Sequence, residues 1–305
     1  MPFEKPEFQP RTIPKDEFFA KAEALTEEEL MQLGLGKKEK KSSQGVGPLL
    51  EASFRNPESG QEQAIEINLE EKIVEFRKFY KDKFNLEINE AEIRNIWVNN
   101  HAEIKSEIEK YGYDSILIVP ENLPGEAEVN RKAIETIDEG AGKGKVAATK
   151  YWAEQQSIVS VKENKYKIIL THSAQNLADQ PLLKVTKGKN IMTLTGLNPD
   201  EVATRITGNQ ELSVNLEVDV NGQKIEIKAE GLSLEEYEIF QRTYFEKTGK
   251  HLDEIGWTWL LKSCSGSRVV LASWSPGVRQ LNVSAYDPGN AAVDLGLRLS
   301  RSFSN

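Results

Sequence analysis

The chain has 305 residues, of which 38% are hydrophobic and 29% are charged, and its formal net charge at pH 7 is −9. This composition is typical of a globular protein with two domains, or with one domain and a long arm. The acidic excess argues against a nucleic-acid partner, because a protein that follows a phosphate backbone needs a cationic surface.

The only cysteine, Cys264, cannot form an internal disulfide, so a disulfide-stapled secreted fold is excluded and a reducing compartment is permitted. The first residues contain no apolar run of signal-peptide length. No stretch of about 18 apolar residues, the length that spans a bilayer, occurs in the sequence. We therefore expect a cytoplasmic, monomeric protein without a membrane segment.

The first 63 residues are predicted to be a flexible, Pro-rich arm and linker. Pro2, Pro6, Pro10 and Pro14 recur every four residues, a spacing that blocks helix formation and suits an extended chain. One amphipathic helix is possible over residues 20–35. Residues 56–63 have the composition of a further linker.

Residues 64–150 are predicted to form a small, helix-rich α/β module. Asn68 and Asn89 each precede a Glu by three positions and an apolar helical pattern, which predicts two capped helices. Residues 115–119 predict a buried strand that Pro120 ends, and residues 125–137 predict another helix. The Gly- and Lys-rich run at 139–145 lacks the spacing of a phosphate-binding loop, so we interpret it as a hinge.

The remaining residues, 151–305, are predicted to form the second domain. Residues 157–161 and 166–172 are predicted strands, and Asn221-Gly222 predicts a tight hairpin between two further strands. That turn would pair Val218 with Ile225, Leu216 with Ile227 and Val214 with Ala229. Ser233 and Glu236 predict a capped helix that ends at Gly249. The chain as a whole is therefore expected to be α+β.

The last 43 residues contain neither Lys nor Glu, although both are abundant earlier in the chain. Four Arg and two Asp are the only charged residues there, so the segment carries +2 and the rest of the chain −11. Small polar and aromatic residues replace the flexible charged ones. Binding surfaces use such residues because they provide contact area and adaptable hydrogen bonds at low entropic cost.

Alternation in this segment predicts strands with one core face and one displayed face. Leu281, Val283 and Ala285 alternate with polar or aromatic residues, and Leu295, Leu297 and Leu299 alternate with Gly296, Arg298 and Ser300. Turns are predicted at Pro276-Gly277 and at residues 287–290.

Several runs in this part of the chain carry a family resemblance: Gly256-Trp257-Thr258-Trp259-Leu260, Gly266 to Val270, Ala272-Ser273-Trp274, Leu281 to Ala285 and Asp294-Leu295-Gly296-Leu297-Arg298-Leu299. Over residues 232–305 the chain resembles the variable proteins of diversity-generating retroelements. Their C-terminal domain resembles formylglycine-generating enzymes in fold, a variant of the C-type lectin fold. The resemblance implies that residues 151–305 are a lectin-like ligand-binding domain with a variable region at about 269–303.

The resemblance also implies a function, which is the non-catalytic binding of a ligand through a hypervariable face. A reverse transcriptase copies a template with errors at adenines, so that displayed residues vary while Trp274 and Gln280 stay constant. The expected ligand-binding positions are Ser273, Ser275, Val278, Asn282, Ser284, Tyr286, Asn290, Ala292 and Asp294. The expected partner is a protein or another macromolecular surface. Two alternatives are a scaffolding protein with a fixed partner and a degenerate formylglycine-generating-enzyme-like protein.

The sequence does not predict catalysis, a cofactor or a metal site. The chemistry of formylglycine-generating enzymes uses a cysteine pair, whereas this chain has only Cys264. His101, His172 and His251 are far apart in sequence, and none has a second His at helical or strand spacing. An enzyme of unknown type in residues 65–150 is the weaker alternative.

Overall fold

The structure is a computed structural model that describes residues 46–138, 147–152, 158–162, 164–182, 186–208, 210–220 and 223–305. The predicted Pro-rich stretch, the possible helix at 20–35 and the predicted hinge at 139–145 lie outside the described residues. Residues 47–305 cluster as one unit.

The described residues form an α+β fold, as predicted. The strands are β1 Leu49–Arg55, β2 Glu62–Asn68, β3 Ser115–Val119, β4 Ala148–Tyr151, β5 Ile158–Ser160, β6 Lys167–Thr171, β7 Ser213–Val220, β8 Gln223–Glu230, β9 Trp257–Ser265, β10 Arg268–Ser275, β11 Gln280–Tyr286, β12 Leu295–Gly296 and β13 Ser300–Phe303. The α-helices are α1 Leu69–Phe84, α2 Glu90–Tyr111, α3 Glu126–Val129, α4 Ile191–Thr195, α5 Pro199–Thr207 and α6 Leu234–Thr248. A π-helical turn, Asn130–Ile134, follows α3, and Leu177–Asp179 is a 3-10 turn.

The helices begin where capping chemistry predicts. The Asn68 side chain accepts hydrogen bonds from the backbone N–H groups of Glu70 and Glu71 at the start of α1. At α6, Ser233 accepts from the N–H of Glu236, whose side chain accepts in return from the N–H of Ser233. These bonds satisfy amides that have no partner within the helix. Gly249 ends α6 in a left-handed conformation that glycine adopts without strain.

Two large sheets form the body of the fold. The first has the order β3-β6-β13-β8-β7, and the second has the order β12-β9-β10-β11-β4, with β5 also paired to β9. The hairpin of β7 and β8 has the predicted register, with Val218 opposite Ile225, Leu216 opposite Ile227 and Val214 opposite Ala229. The Asn-Gly signal therefore located this pairing correctly.

The predicted division at residue 150 does not separate two compact units. Strand β3, from the predicted module 64–150, pairs along its length with β6, from the predicted domain 151–305. Strand β4 likewise pairs with β11. Residues 47–305 form one unit because the N-terminal part contributes an edge strand to each of the two large sheets.

The predicted linker at 56–63 is also corrected. It is the turn and the start of the second strand in an antiparallel hairpin of β1 and β2, in which Arg55 pairs with Glu62. Leu50 and Phe54 of β1 are buried, and β1 lies against α2. Gly112 follows the last residue of α2, and a Cβ on Gly112 would lie 2.6 Å from the ring of Phe54. This close approach explains why α2 ends on a glycine.

The prediction that one side of residues 295–300 is accessible is wrong. All six residues are buried, and only Leu295–Gly296 and the end of this stretch are strand. Arg298 points into the core, where its guanidinium pairs with the buried Asp253. The period-two pattern was misleading because both sides of this segment are packed.

Candidate functional site

Strand β11 has one buried and one accessible side, as predicted. Leu281, Val283 and Ala285 are buried, whereas Asn282 and Ser284 are half-buried and Tyr286 is 41% exposed. Because side chains alternate along a strand, the accessible residues all project from the same side of the sheet. This side is called the outward side below.

The opposite side of the sheet packs on helix α6. Trp274 of β10 pairs laterally with Leu281, and its ring stacks on His251 with 3.4 Å between centroids. His251 stacks in turn on Phe245 of α6. Substituting Leu281 or Trp274 would therefore disturb the core, while substituting Asn282 changes only the outward surface.

Strand β10 contributes less to the outward surface than predicted. Ser273 and Ser275 lie opposite Asn282 and Gln280 and so project outward. Ser273 is nevertheless buried, at 6% exposure, because β10 is an interior strand of the sheet and helix α5 lies against both β9 and β10. Ser275, at the end of the strand, is half-buried. The prediction that Ser273 is displayed is therefore wrong.

Strand β4 adds residues that the sequence did not predict. It runs parallel to β11, with Ala148 opposite Gln280 and Lys150 opposite Asn282. Thr149 points to the other side, where its hydroxyl accepts a 2.8 Å hydrogen bond from the buried Asn130. Lys150 and the next residue of the same parity, Trp152, therefore project outward, and Trp152 is 63% exposed.

Together these strands form a continuous surface, which we call the displayed face. It consists of Ala148, Lys150, Trp152, Ser275, Gln280, Asn282, Ser284 and Tyr286. Gln280 donates a 2.9 Å hydrogen bond to the Asn282 side chain, which orders the polar centre of the face. Tyr286 packs edge-on against the buried Trp259, with 6.5 Å between ring centroids. The core thus supports one side of this aromatic residue and leaves the other side accessible.

The β10–β11 turn borders one end of the displayed face and carries Val278. This side chain is 65% exposed, as a displayed position requires. The next residue, Arg279, has a positive φ of 55° and so occupies a conformation that non-glycine residues rarely adopt. Its carbonyl oxygen accepts a 3.2 Å hydrogen bond from the N–H of Ala148, which ties the turn to β4.

The other three predicted positions, Asn290, Ala292 and Asp294, lie beyond Tyr286 at the opposite end of β11. The six residue steps from Gln280 to Tyr286 separate this loop from Val278 by about 20 Å. The loop is tied to α4, because the N–H of Met192 donates to the carbonyl of Pro288 at 3.3 Å. Five of the nine predicted positions therefore lie on strands β10 and β11, Val278 lies in the turn before β11, and the other three lie in the loop after β11.

A cleft of about 290 Å³ lies beside the end of this loop, between the 3-10 turn and the start of β12. It is lined by Leu177, Ala178, Lys187, Ile255, Gly256, Val293, Asp294, Leu295 and Gly296. Gly256 has a φ of +98°, and a Cβ there would lie 2.8 Å from the carbonyl oxygen of Asp294. The close approach of these two backbones fixes the end of the loop against β9.

The cysteine and the histidines lie in packed surroundings. Cys264 is buried, and burial raises the pKa of its thiol. Burial also lowers the pKa of His172 and of His251 to about 4, so both rings are neutral at pH 7. The described residues contain no group of three or more His, Cys, Asp or Glu side chains arranged to hold a metal ion.

A cluster of paired charges lies inside the fold. Lys262 is fully buried and bonds to Glu230 at 3.3 Å and to Glu211 at 2.9 Å, while Lys167 bonds to Glu236 at 2.8 Å. Burial opposes ionisation of Glu236, but Lys262 and Lys167 outweigh it and lower its pKa to about 2. Each charge has an opposite partner, which explains how the core accommodates them.

In the described part of the chain, no helix has the length and apolar character needed to cross a bilayer. No family model matches the chain, and no curated protein or solved structure is significantly similar to it.

Proposed function

We propose that this protein binds a ligand through the displayed face and that retroelement-type mutagenesis diversifies this face on a lectin-like scaffold. The observation that carries the proposal is the alternation in β11. Leu281, Val283 and Ala285 hold the core while Asn282, Ser284 and Tyr286 form the surface. Substitutions on the outward side can therefore change recognition at little cost in stability, because they delete no buried packing.

Composition supports the same proposal. The segment from 263 to the C-terminus lacks Lys and Glu, and the displayed face contains Ser, Asn, Gln and Tyr. Such side chains make broad, adaptable contacts instead of lining a deep pocket, so the proposed partner is a protein or another large surface. Tyr286 is the proposed anchor within β11, since it offers a large area while only two torsions become fixed on binding.

The genetic test is to sequence the DNA around the gene. The expected result is a near-copy of the DNA for residues 269–303 that differs only where the copy has adenine, next to a reverse transcriptase gene. Sibling genes should vary at Asn282 and Ser284 and keep Leu281 and Val283. Variation concentrated at the buried set would contradict the proposal, and invariant siblings would favour a scaffold with a fixed partner.

The binding test uses a random-sequence peptide library displayed on phage, which is panned against the purified protein. A peptide selected on the wild type should bind Tyr286→Ala about tenfold or more weakly, as expected for the loss of an aromatic hot spot. The matched control is Tyr244→Ala, which alters a half-buried tyrosine of α6 away from the face. Equal binding by the wild type and a folded Tyr286→Ala variant would remove this face from the interface.

A further inference from the structure

The displayed face combines two parts of the chain that the proposed function treats differently. Asn282 and Ser284 belong to the segment that would vary, at about 269–303. Lys150 belongs to β4 and Trp152 directly follows this strand, so both lie outside that segment. Every diversified version of the protein would therefore present Lys150 and Trp152 beside its variable residues.

Lys150 and Trp152 form a defined pair. The Lys150 Nζ atom lies 3.6 Å from the centroid of the Trp152 ring, within the range of a cation–π interaction. The backbone N–H of Trp152 donates a 2.7 Å hydrogen bond to the carbonyl of Val283, which fixes this residue against β11. The pair is thus held beside Asn282, which lies directly opposite Lys150.

The charge at this place is opposite to the charge of the whole chain. The displayed face and the adjoining 276–279 turn contain Lys150 and Arg279 but no Asp or Glu, although the chain carries −9 overall. Neither cation forms a salt bridge with a described residue. The Arg279 Nη1 atom is buried and has no hydrogen-bond partner among the described residues.

We infer that Lys150 and Trp152 are a constant anchor that, together with Arg279 of the adjoining turn, selects partner proteins with an acidic segment. The inference rests on the proposed function, and it adds the chemistry that all partners would share. Carboxylates of the partner would pair with Lys150 and Arg279, and an apolar side chain would cover the exposed side of Trp152. Cationic partners would be rejected, because like charges across an interface are strongly disfavoured. The variable residues would then discriminate among the acidic partners.

The test uses the same phage library of random peptides. Peptides enriched on the wild type should be rich in Asp and Glu, and replacing those residues by Asn and Gln in a synthetic peptide should weaken binding at least about tenfold. The double variant Lys150→Glu and Arg279→Glu should lose the acidic preference. Raising NaCl from about 0.05 M to about 0.5 M should weaken wild-type binding, because salt screens exposed charges.

Two control variants make the test specific. Lys78→Glu and Lys228→Glu together make the same charge change at exposed sites on α1 and β8, and this double variant should keep the acidic preference. Trp152→Ala should weaken the selected peptides about tenfold, as for an aromatic hot spot, while Val74→Ala removes exposed apolar area on α1 and should not. All variants are compared only after thermal melts show that they are folded.

The outcomes separate this inference from the proposed function. Enriched peptides without excess acid, which still depend on Tyr286, would overturn the acidic anchor and leave the displayed face as the binding site. Enrichment of acidic peptides by the control double variant, but not by the double variant Lys150→Glu and Arg279→Glu, supports the anchor. Competition by duplex DNA as effective as that by the acidic peptide would overturn it in favour of general polyanion binding. The anchor would also be overturned if gel filtration showed that the wild-type protein self-associates and that this self-association prevents peptide binding.

Discussion

Arg298 donates a 2.7 Å hydrogen bond from Nη2 to Oδ1 of Asp253, and both side chains are completely buried. The second guanidinium nitrogen, Nη1, donates to the carbonyl oxygens of His172 and Ala174. The second carboxylate oxygen of Asp253 accepts from the hydroxyls of Tyr237 and Thr258. This ion pair joins the end of the chain to α6 and β9, with most of its hydrogen-bonding capacity used.

Breaking this pair on one side should be strongly destabilising. Arg298→Met leaves Asp253 charged and buried, and we expect the free energy of unfolding to fall by about 3–5 kcal/mol. Asp253→Leu should cost a similar amount. The double variant should cost less than the sum of the two, because neither charge is then left unpaired. Urea unfolding of the three variants measures this, and strict additivity would contradict a coupled pair.

The two sides of β11 should differ in their tolerance of substitution. Leu281→Ala deletes buried packing and should cost about 2–5 kcal/mol. Ser284→Ala, on the accessible side of the same strand, should cost less than about 0.5 kcal/mol. Thermal melts under identical conditions compare them. Equal losses would mean that Ser284 is not a position at which sequence can vary freely.

The buried histidines should lower stability between pH 7 and pH 5, in opposition to Glu235 and Glu238, whose pKa burial raises and whose contribution therefore has the reverse sign. The folded pKa of His251 is about 4, below its value near 6.5 in the unfolded chain, so the unfolded chain binds more protons in this window. Stability therefore decreases as the pH falls, by about 1–2 kcal/mol for each such histidine.

His251→Phe should keep the stack between Phe245 and Trp274 and should show a smaller loss over the same pH range. His172 should still contribute in that variant. His101→Phe, which alters a less buried ring, is the control and should retain most of the wild-type dependence. An unchanged pH dependence in His251→Phe, measured by urea unfolding at each pH, would contradict this assignment.

The thiol of Cys264 should be unreactive in the folded protein. Burial raises its pKa and blocks access, so Ellman's reagent should label it only on unfolding. Cys264→Ala should remain folded. Cys264→Ser should be less stable, since a buried hydroxyl without a partner costs about 1–3 kcal/mol. Fast labelling of the native protein would contradict the placement of this residue.

Local patterns predicted the parts of the fold that depend on neighbouring residues. The caps at Asn68 and Ser233, the hairpin of β7 and β8 and the two sides of β11 all have signals within a few positions of one another. The role of β4 had no such signal, because its partner β11 is distant in sequence and a parallel pairing leaves no turn motif. Lys150 and Trp152 were therefore missed as residues of the candidate site.

Two further errors have a common cause. Ser273 and Arg298 each lie where alternation predicts an accessible side chain, but both are buried. Alternation shows that successive residues face opposite sides, but it does not show whether a helix or a second layer covers each side. Helix α5 lies against β10, and the carbonyl groups of residues 172 and 174 surround Arg298. Only the tertiary structure supplies this information.

The position of β13 has a consequence for translation. This strand follows the other four strands of its sheet in sequence, yet it lies between β6 and β8 in the middle of that sheet. A ribosome must therefore have synthesised Ser300–Phe303 before that sheet can close. A stop codon or frameshift introduced anywhere upstream yields a product without its central strand, which cellular proteases should remove. Truncated or frameshifted products would in this way fail to fold, and a chain that ends at Asp294 should be insoluble or rapidly degraded.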